Sequence, residues 1–190
     1  MSVFSPILLS LRVALFATAI TFIVGLGLAR LFSTRRVPLR PLWEALLLLP
    51  LVFPPTLTGY LLLMLFAKRG LLGGILGQVG ISVVFTWAAA VIASFVVSLP
   101  LMYQNCKAAL MGVEPQYAQA ARTLGVPEGR IFRRITLPIA APGIRSGTAL
   151  SFARALGEFG ATLMVAGNIP GRTQTIPLAL YSAVEGGRSA

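Results

Sequence analysis

VALFATAITFIVGLGLA, residues Val13 to Ala29, holds 17 consecutive positions without a charge. Extended through Arg30 to Phe32, the run is long enough to cross a hydrocarbon core of about 30 Å, and Arg30 can snorkel at its end. A secretory signal would have a shorter apolar region and a small-residue cleavage pattern, whereas Ser33-Thr34-Arg35-Arg36 follows here directly. The run predicts a membrane helix. Further along, Ala45 to Ala67 gives 23 uncharged residues interrupted by Pro50 and Pro54-Pro55, so this second span must be bent or broken. No charge lies between Arg69 and Lys107, and Ile81 to Tyr103 is the third span, preceded by a glycine-rich turn at Gly70, Gly73, Gly74, Gly77 and Gly80. The fourth, about Ala140 to Gly167, carries Arg145, Arg154 and Glu158. Ionisable groups in a span face a protein interior or a watery cavity, so function is sought there first. Gly167 to Ala190 contains no further run of adequate length.

Composition agrees. Of 190 residues 56% are apolar and 11% charged, against roughly a quarter charged in a soluble domain. The net charge of +11 would suggest nucleic acid, but it is diluted among apolar runs, and no nucleic-acid partner is expected. One Cys, no His and no Asp exclude a disulfide framework and any Cys/His metal site, and leave little general-base chemistry, so the chain is not expected to be an enzyme. The expected fold is an all-α polytopic membrane protein with about four spans, residues 1–190 forming a single transmembrane domain in the lipid bilayer.

Lys and Arg are unevenly placed. Nine lie between spans one and two or three and four (Arg30, Arg35, Arg36, Arg40, Lys107, Arg122, Arg130, Arg133, Arg134), and four lie opposite (Lys68, Arg69, Arg172, Arg188). The positive-inside rule puts the richer loops in the cytoplasm and the N-terminus outside. An even number of spans leaves the C-terminus outside as well, as in a chain that stops one helix early. Small residues recur every fourth position at Ala17, Thr21, Gly25 and Ala29, at Thr86, Ala90, Ser94 and Ser98, and at Gly143, Gly147, Ser151 and Ala155. Such stripes let helices approach closely in lipid, although a chain so rich in small residues also produces them by chance.

The loop from Met102 to Pro138 is too long for a simple connection. Glu114-Pro115 opens a short helix through Gln116 to Leu124, which Gly125 caps, and Pro127 starts a second that Leu137-Pro138 stops. The result is a basic knuckle, suited either to anionic lipid or to docking another protein. Gln119-Ala120-Ala121, Gly125, Ile135 and Leu137-Pro138 stand at the spacing of the loop motif in permease subunits of bacterial ABC importers, and the chain resembles that family from about Leu9 to Glu185. Gln119 departs from the usual Glu. The resemblance implies a type I importer transmembrane domain, with residues 107–138 as the cytoplasmic loop coupled to a separate ATPase. Gln119, Ala120, Ala121, Leu124, Gly125, Ile135, Leu137 and Pro138 would form the coupling element, the small alanines entering a groove of the ATPase.

LPLVFPP at Leu49 to Pro55 with Gly59-Tyr60-Leu61-Leu62, FARALGEFGAT at Phe152 to Thr162, and Asn168-Ile169-Pro170-Gly171 followed by Thr173 and Thr175-Ile176-Pro177 resemble the molybdate branch. Sulfate permeases share part of this pattern, and tungstate is not distinguished. The resemblance further implies a homodimer, two cytoplasmic ATP-binding subunits holding ATP and Mg, an external oxyanion-binding protein, location in the cell inner membrane, no cofactor on this chain, and a fifth C-terminal span absent here. No phosphate-binding loop occurs in the sequence.

Candidate pathway or gate residues are Pro54, Pro55, Gly59, Arg154 and Glu158. Arg154 and Glu158 share a helix face about 6 Å apart along the axis. An ion pair there either fixes packing or hands an oxyanion through a gate. A bare carboxylate facing a dianion repels it, so affinity is expected to come from the binding protein. Pro54-Pro55 and Gly59 are either a structural kink or a hinge lining the path. Arg12 and Arg145 can snorkel. An ATP-independent carrier is the alternative, disfavoured by the lack of internal repeats.

Overall fold

The computed structural model describes residues 4–34 and 37–186. Arg35, Arg36 and Arg188, three members of the charge asymmetry, lie outside the described residues. Among the described residues every regular element is helical.

Three long helices form the frame. α1 (Phe4–Thr34) extends the expected first span at both ends. It packs against α5 (Trp87–Met111), and the two run in the same direction. Phe16 meets the Trp87 ring edge-on at 5.6 Å, Thr21 Oγ1 lies 3.1 Å from Ser98 Oγ, and Phe32 meets Tyr103 at 5.9 Å. α8 (Leu137–Leu156) runs the opposite way along α5, with Gly143 facing Ala109, Gly147 facing Asn105, and the Ser94 hydroxyl donating to Ala155 O at 3.4 Å. The small-residue stripes are this seam: a Cβ on Gly25, Gly143 or Gly147 would come within 2.8, 2.7 and 2.6 Å of the Met102, Ala109 and Asn105 side chains. Close approach, not chance composition, accounts for them.

Because α1 and α5 are parallel, the chain must return between them. It does so through α2 (Arg40–Val52) and α3 (Pro55–Phe66), which meet at 115°. Pro50 stays inside α2, so it does not interrupt the span as expected. The break falls at Phe53 and Pro54 because two successive prolines lack N–H donors and force extended backbone, ψ 144° and 136°, on the residues before them. The glycine-rich stretch expected as a turn contains α4 (Leu71–Gln78). Gly73 lets α4 fold back on the end of α3, since a Cβ there would lie 2.0 Å from Ala67 O.

Beyond α5 come α6 (Pro115–Thr123) and α7 (Glu128–Ile131). The second knuckle helix does not stop at Leu137-Pro138. It passes through a π-helical turn, Phe132–Thr136, directly into α8, giving one continuous helix over Glu128–Leu156. Leu137 N–H reaches back five residues to Phe132 O, and this wider turn takes up the missing Pro138 donor that would otherwise end the helix. The fourth span is not straight either. After Gly157 the chain turns by 56° into α9 (Gly160–Ala166). α10 (Ile176–Glu185) lies against α1, its Ile176 N–H donating to Ser10 Oγ at 2.7 Å.

Candidate functional site

The knuckle is built by α6, α7 and the π-turn. Gly125 takes φ +72°, and its N–H and that of Val126 close the end of α6 on Arg122 O at 2.9 Å and Ala121 O at 3.1 Å. No neighbour lies within 4 Å of a Cβ placed at Gly125, so the left-handed backbone alone calls for glycine. Gln119 and Ala120 are exposed, and Leu124 is 82% exposed beside them. Ala121 turns the other way and is buried within the knuckle's own packing. Ile135 and Leu137 are half-buried and Pro138 is exposed. Arg122 bridges both helices to Glu128, with contacts of 2.5 and 3.2 Å, and this hydrogen-bonded guanidinium holds the Glu128 carboxyl below its ordinary range. Arg30 lies 3.9 Å over the Phe132 ring, tying the end of α1 to the π-turn. A cavity of about 620 Å³ behind the knuckle is lined by Arg30, Ser33, Glu114, Ala118, Arg122 and Phe132.

At the other end of α8 the two broken spans meet. Gly160 packs on Pro55, where a Cβ would be 3.0 Å from the proline ring and 3.2 Å from Thr56 N. Gly59 packs on Ala161, where a Cβ would be 2.7 Å from the backbone Cα. The breaks at Pro54-Pro55 and at Gly157 to Phe159 therefore lie side by side. Glu158 sits just past the end of α8 rather than within it, yet the expected pair forms: Arg154 Nη1 donates to Glu158 Oε2 at 2.6 Å. The other oxygen accepts from Ala161 N–H at 2.8 Å, which anchors the first turn of α9. Pro54, Pro55, Gly59, Arg154 and Glu158 thus come together at one level.

One polar cluster escaped the sequence. Glu44 Oε1 accepts from Arg40 Nε at 2.9 Å, Tyr103 OH at 2.7 Å and Lys107 Nζ at 2.8 Å. It ties α2, which has no buried residue, to α5. The four-residue spacings of Arg40 with Glu44 and Tyr103 with Lys107 were visible, but their meeting depends on the fold. The Asn168 to Thr175 motif is also an internal brace: the Thr173 hydroxyl accepts from Ile169 N–H and donates to Gly167 O, both at 3.0 Å.

Parallel and antiparallel apolar helices, two spans broken at a shared level, and a basic knuckle on one side together define a membrane permease. Residues 11–185 match the binding-protein-dependent transport system inner membrane component family, and the chain belongs to it. It is 46% identical to the molybdenum transport system permease protein ModB of Escherichia coli (strain K12), over 96% of this chain and 81% of that protein. Identity to ModB of Haemophilus influenzae is 41%, over 95% and 80%. The sulfate transport system permease protein CysT of Salmonella typhimurium is 36% identical, over 90% and 62%. The family is a transport component of the inner membrane, not an enzyme in itself.

Proposed function

We propose that this chain is the permease subunit of an ATP-driven molybdate importer. Two copies enclose the pathway, two cytoplasmic subunits bind ATP and Mg, and an external binding protein delivers the oxyanion. The N-terminus lies outside and the knuckle in the cytoplasm. One observation carries this reading: the knuckle's second helix continues unbroken through α8 to the Arg154–Glu158 pair. A push on the exposed Gln119, Ala120 and Leu124 surface passes through the Arg122–Glu128 contact into the continuous helix and along its length of about 40 Å to the level where both spans break. Movement there switches access from one side to the other. Molybdate, rather than sulfate, is supported by the greater identity to the ModB proteins than to CysT.

ATP hydrolysis by the reconstituted complex tests this, with binding protein loaded with molybdate, loaded with sulfate, or empty. Stimulation by the molybdate form is expected. Stimulation by sulfate alone moves the substrate and keeps the class, and no stimulation in an assembled complex removes the ATP-driven mechanism.

A further inference from the structure

Glu158 stands where a transported oxyanion would bind. A guanidinium N–H and a backbone N–H converge on the two oxygens of one carboxylate, at 2.6 and 2.8 Å. That donor set suits any small tetrahedral oxyanion as well as it suits a carboxylate. The Glu158 side chain is 1% exposed, whereas Arg154 keeps 30% of its side-chain surface open, so the cation has an approachable side and the anion does not. The other basic residue of α8, Arg145, is nine positions away, about 13 Å along the axis, and exposed.

We propose that Glu158 is a tethered anion that fills the oxyanion position on Arg154 in this conformation, and that the transported oxyanion replaces it when the α8–α9 bend opens. This rests on the importer reading above and adds the contact the substrate uses and the group that covers it. While paired, the two charges cancel and an arriving dianion meets no net attraction. A change of angle at Gly157 carries Glu158, with its Ala161 N–H donor, away from Arg154, and the carboxylate then loses the guanidinium. Arg154 is freed to meet the oxyanion. The displaced carboxylate, stranded away from water without its partner, is costly there and returns to Arg154, expelling the substrate. Binding is therefore brief in the wild type, and the carboxylate acts as a built-in release device. Because α8 is continuous with the knuckle, the angle at Gly157 and the state of the ATPase are mechanically linked.

Equilibrium binding of radiolabelled molybdate to the assembled permease–ATPase complex, without binding protein, tests this in the wild type, Glu158→Gln, and Arg154→Gln with Glu158→Gln. Gln keeps an acceptor for Ala161 N–H but removes the competing charge. The single variant is expected to bind at least about tenfold more tightly than the wild type, and to lose at least about tenfold in binding-protein-driven uptake because release is slowed. The double variant should lose the added affinity. Binding of Glu158→Gln no tighter than wild type overturns the proposal, as does added affinity that survives loss of Arg154. Should Glu158→Gln not assemble, Glu158→Ala, which removes the competing carboxylate altogether, reads the same effect, and no rise in affinity there is equally decisive. A parallel sulfate arm separates the two claims. A gain for sulfate alone leaves the tethered anion standing and overturns the molybdate reading. Unchanged binding in a complex that imports molybdate does the reverse.

Discussion

The seam of α1, α5 and α8 and the broken layer of α3 and α9 use the same devices, small residues and close backbones, to opposite ends. At Gly25 in the seam a Cβ would first meet Met102 Cγ at 2.8 Å, a side chain that can rotate aside, although Gly143 and Gly147 face the fixed Cβ atoms of Ala109 and Asn105. In the broken layer a Cβ on Gly59 would meet the Ala161 backbone at 2.7 Å, which cannot. The seam consists of unbroken helices, and among the described residues no ion pair joins one of them to another. The layer consists of short half-helices, and the first turn of one of them, α9, is held by a buried carboxylate. A frame can be rigid and forgiving of detail. The proposed moving part is short, tightly keyed to its neighbour, and fastened by the Arg154–Glu158 contact.

Arg154→Gln tests that fastening and has the largest expected effect on stability. It leaves Glu158 buried without its cation. Loss of one partner of a fully buried pair costs about 3–5 kcal/mol, and the partial exposure of Arg154 places the expected loss near the lower end. Chemical unfolding in mixed micelles measures it, and a loss no larger than that of a surface arginine would mean that water already reaches the carboxylate. Gly59→Ala compared with Gly25→Ala comes next. The first is expected to cost about 2 kcal/mol by forcing two backbones apart, the second less than about 1 kcal/mol because Met102 can repack. Equal losses would erase the distinction between layer and seam. Gly125→Val, in the knuckle, strains one left-handed residue by about 1–2 kcal/mol without a steric clash. Insertion is expected to survive while substrate-stimulated ATP hydrolysis is lost, and unchanged hydrolysis would detach the knuckle from coupling.

The frame was legible in the sequence because apolar runs and four-residue stripes are local properties. Val13 to Ala29, the stripes and Gly125 read directly onto α1, the seam and the positive φ. The Arg154–Glu158 pair was legible for the same reason, since four residues of separation bring side chains together even across a helix end. Features made by distant segments were not. The Glu44, Tyr103 and Lys107 cluster joins α2 to α5, and the inward turn of Ala121 depends on what lies behind α6. Pro138 misled because a local rule, that proline ends a helix, was outweighed by a wider π-turn that no single residue announces. The level of the two breaks was legible only in part: Pro54-Pro55 signals one, the bend at Gly157 inside the expected fourth span went unread, and their adjacency comes from α3 packing on α9.

The smallest effect tests the seam itself. Thr21 Oγ1 and Ser98 Oγ are 3.1 Å apart and buried, and Ser98 also donates to Ser94 O at 2.7 Å. Since the Ser98 hydroxyl proton is committed to Ser94, Thr21 must be the donor between the two helices. Thr21→Val keeps the shape and removes that proton, so Ser98 loses an acceptor contact but keeps its own donor satisfied. The expected cost is about 0.6 kcal/mol, typical of a hydrogen bond between membrane helices. Ser98→Ala removes the acceptor, leaves the Thr21 proton without its partner, and should cost more than Thr21→Val. Equal losses in the same micelle titration would place the proton of Ser98, not that of Thr21, between α1 and α5.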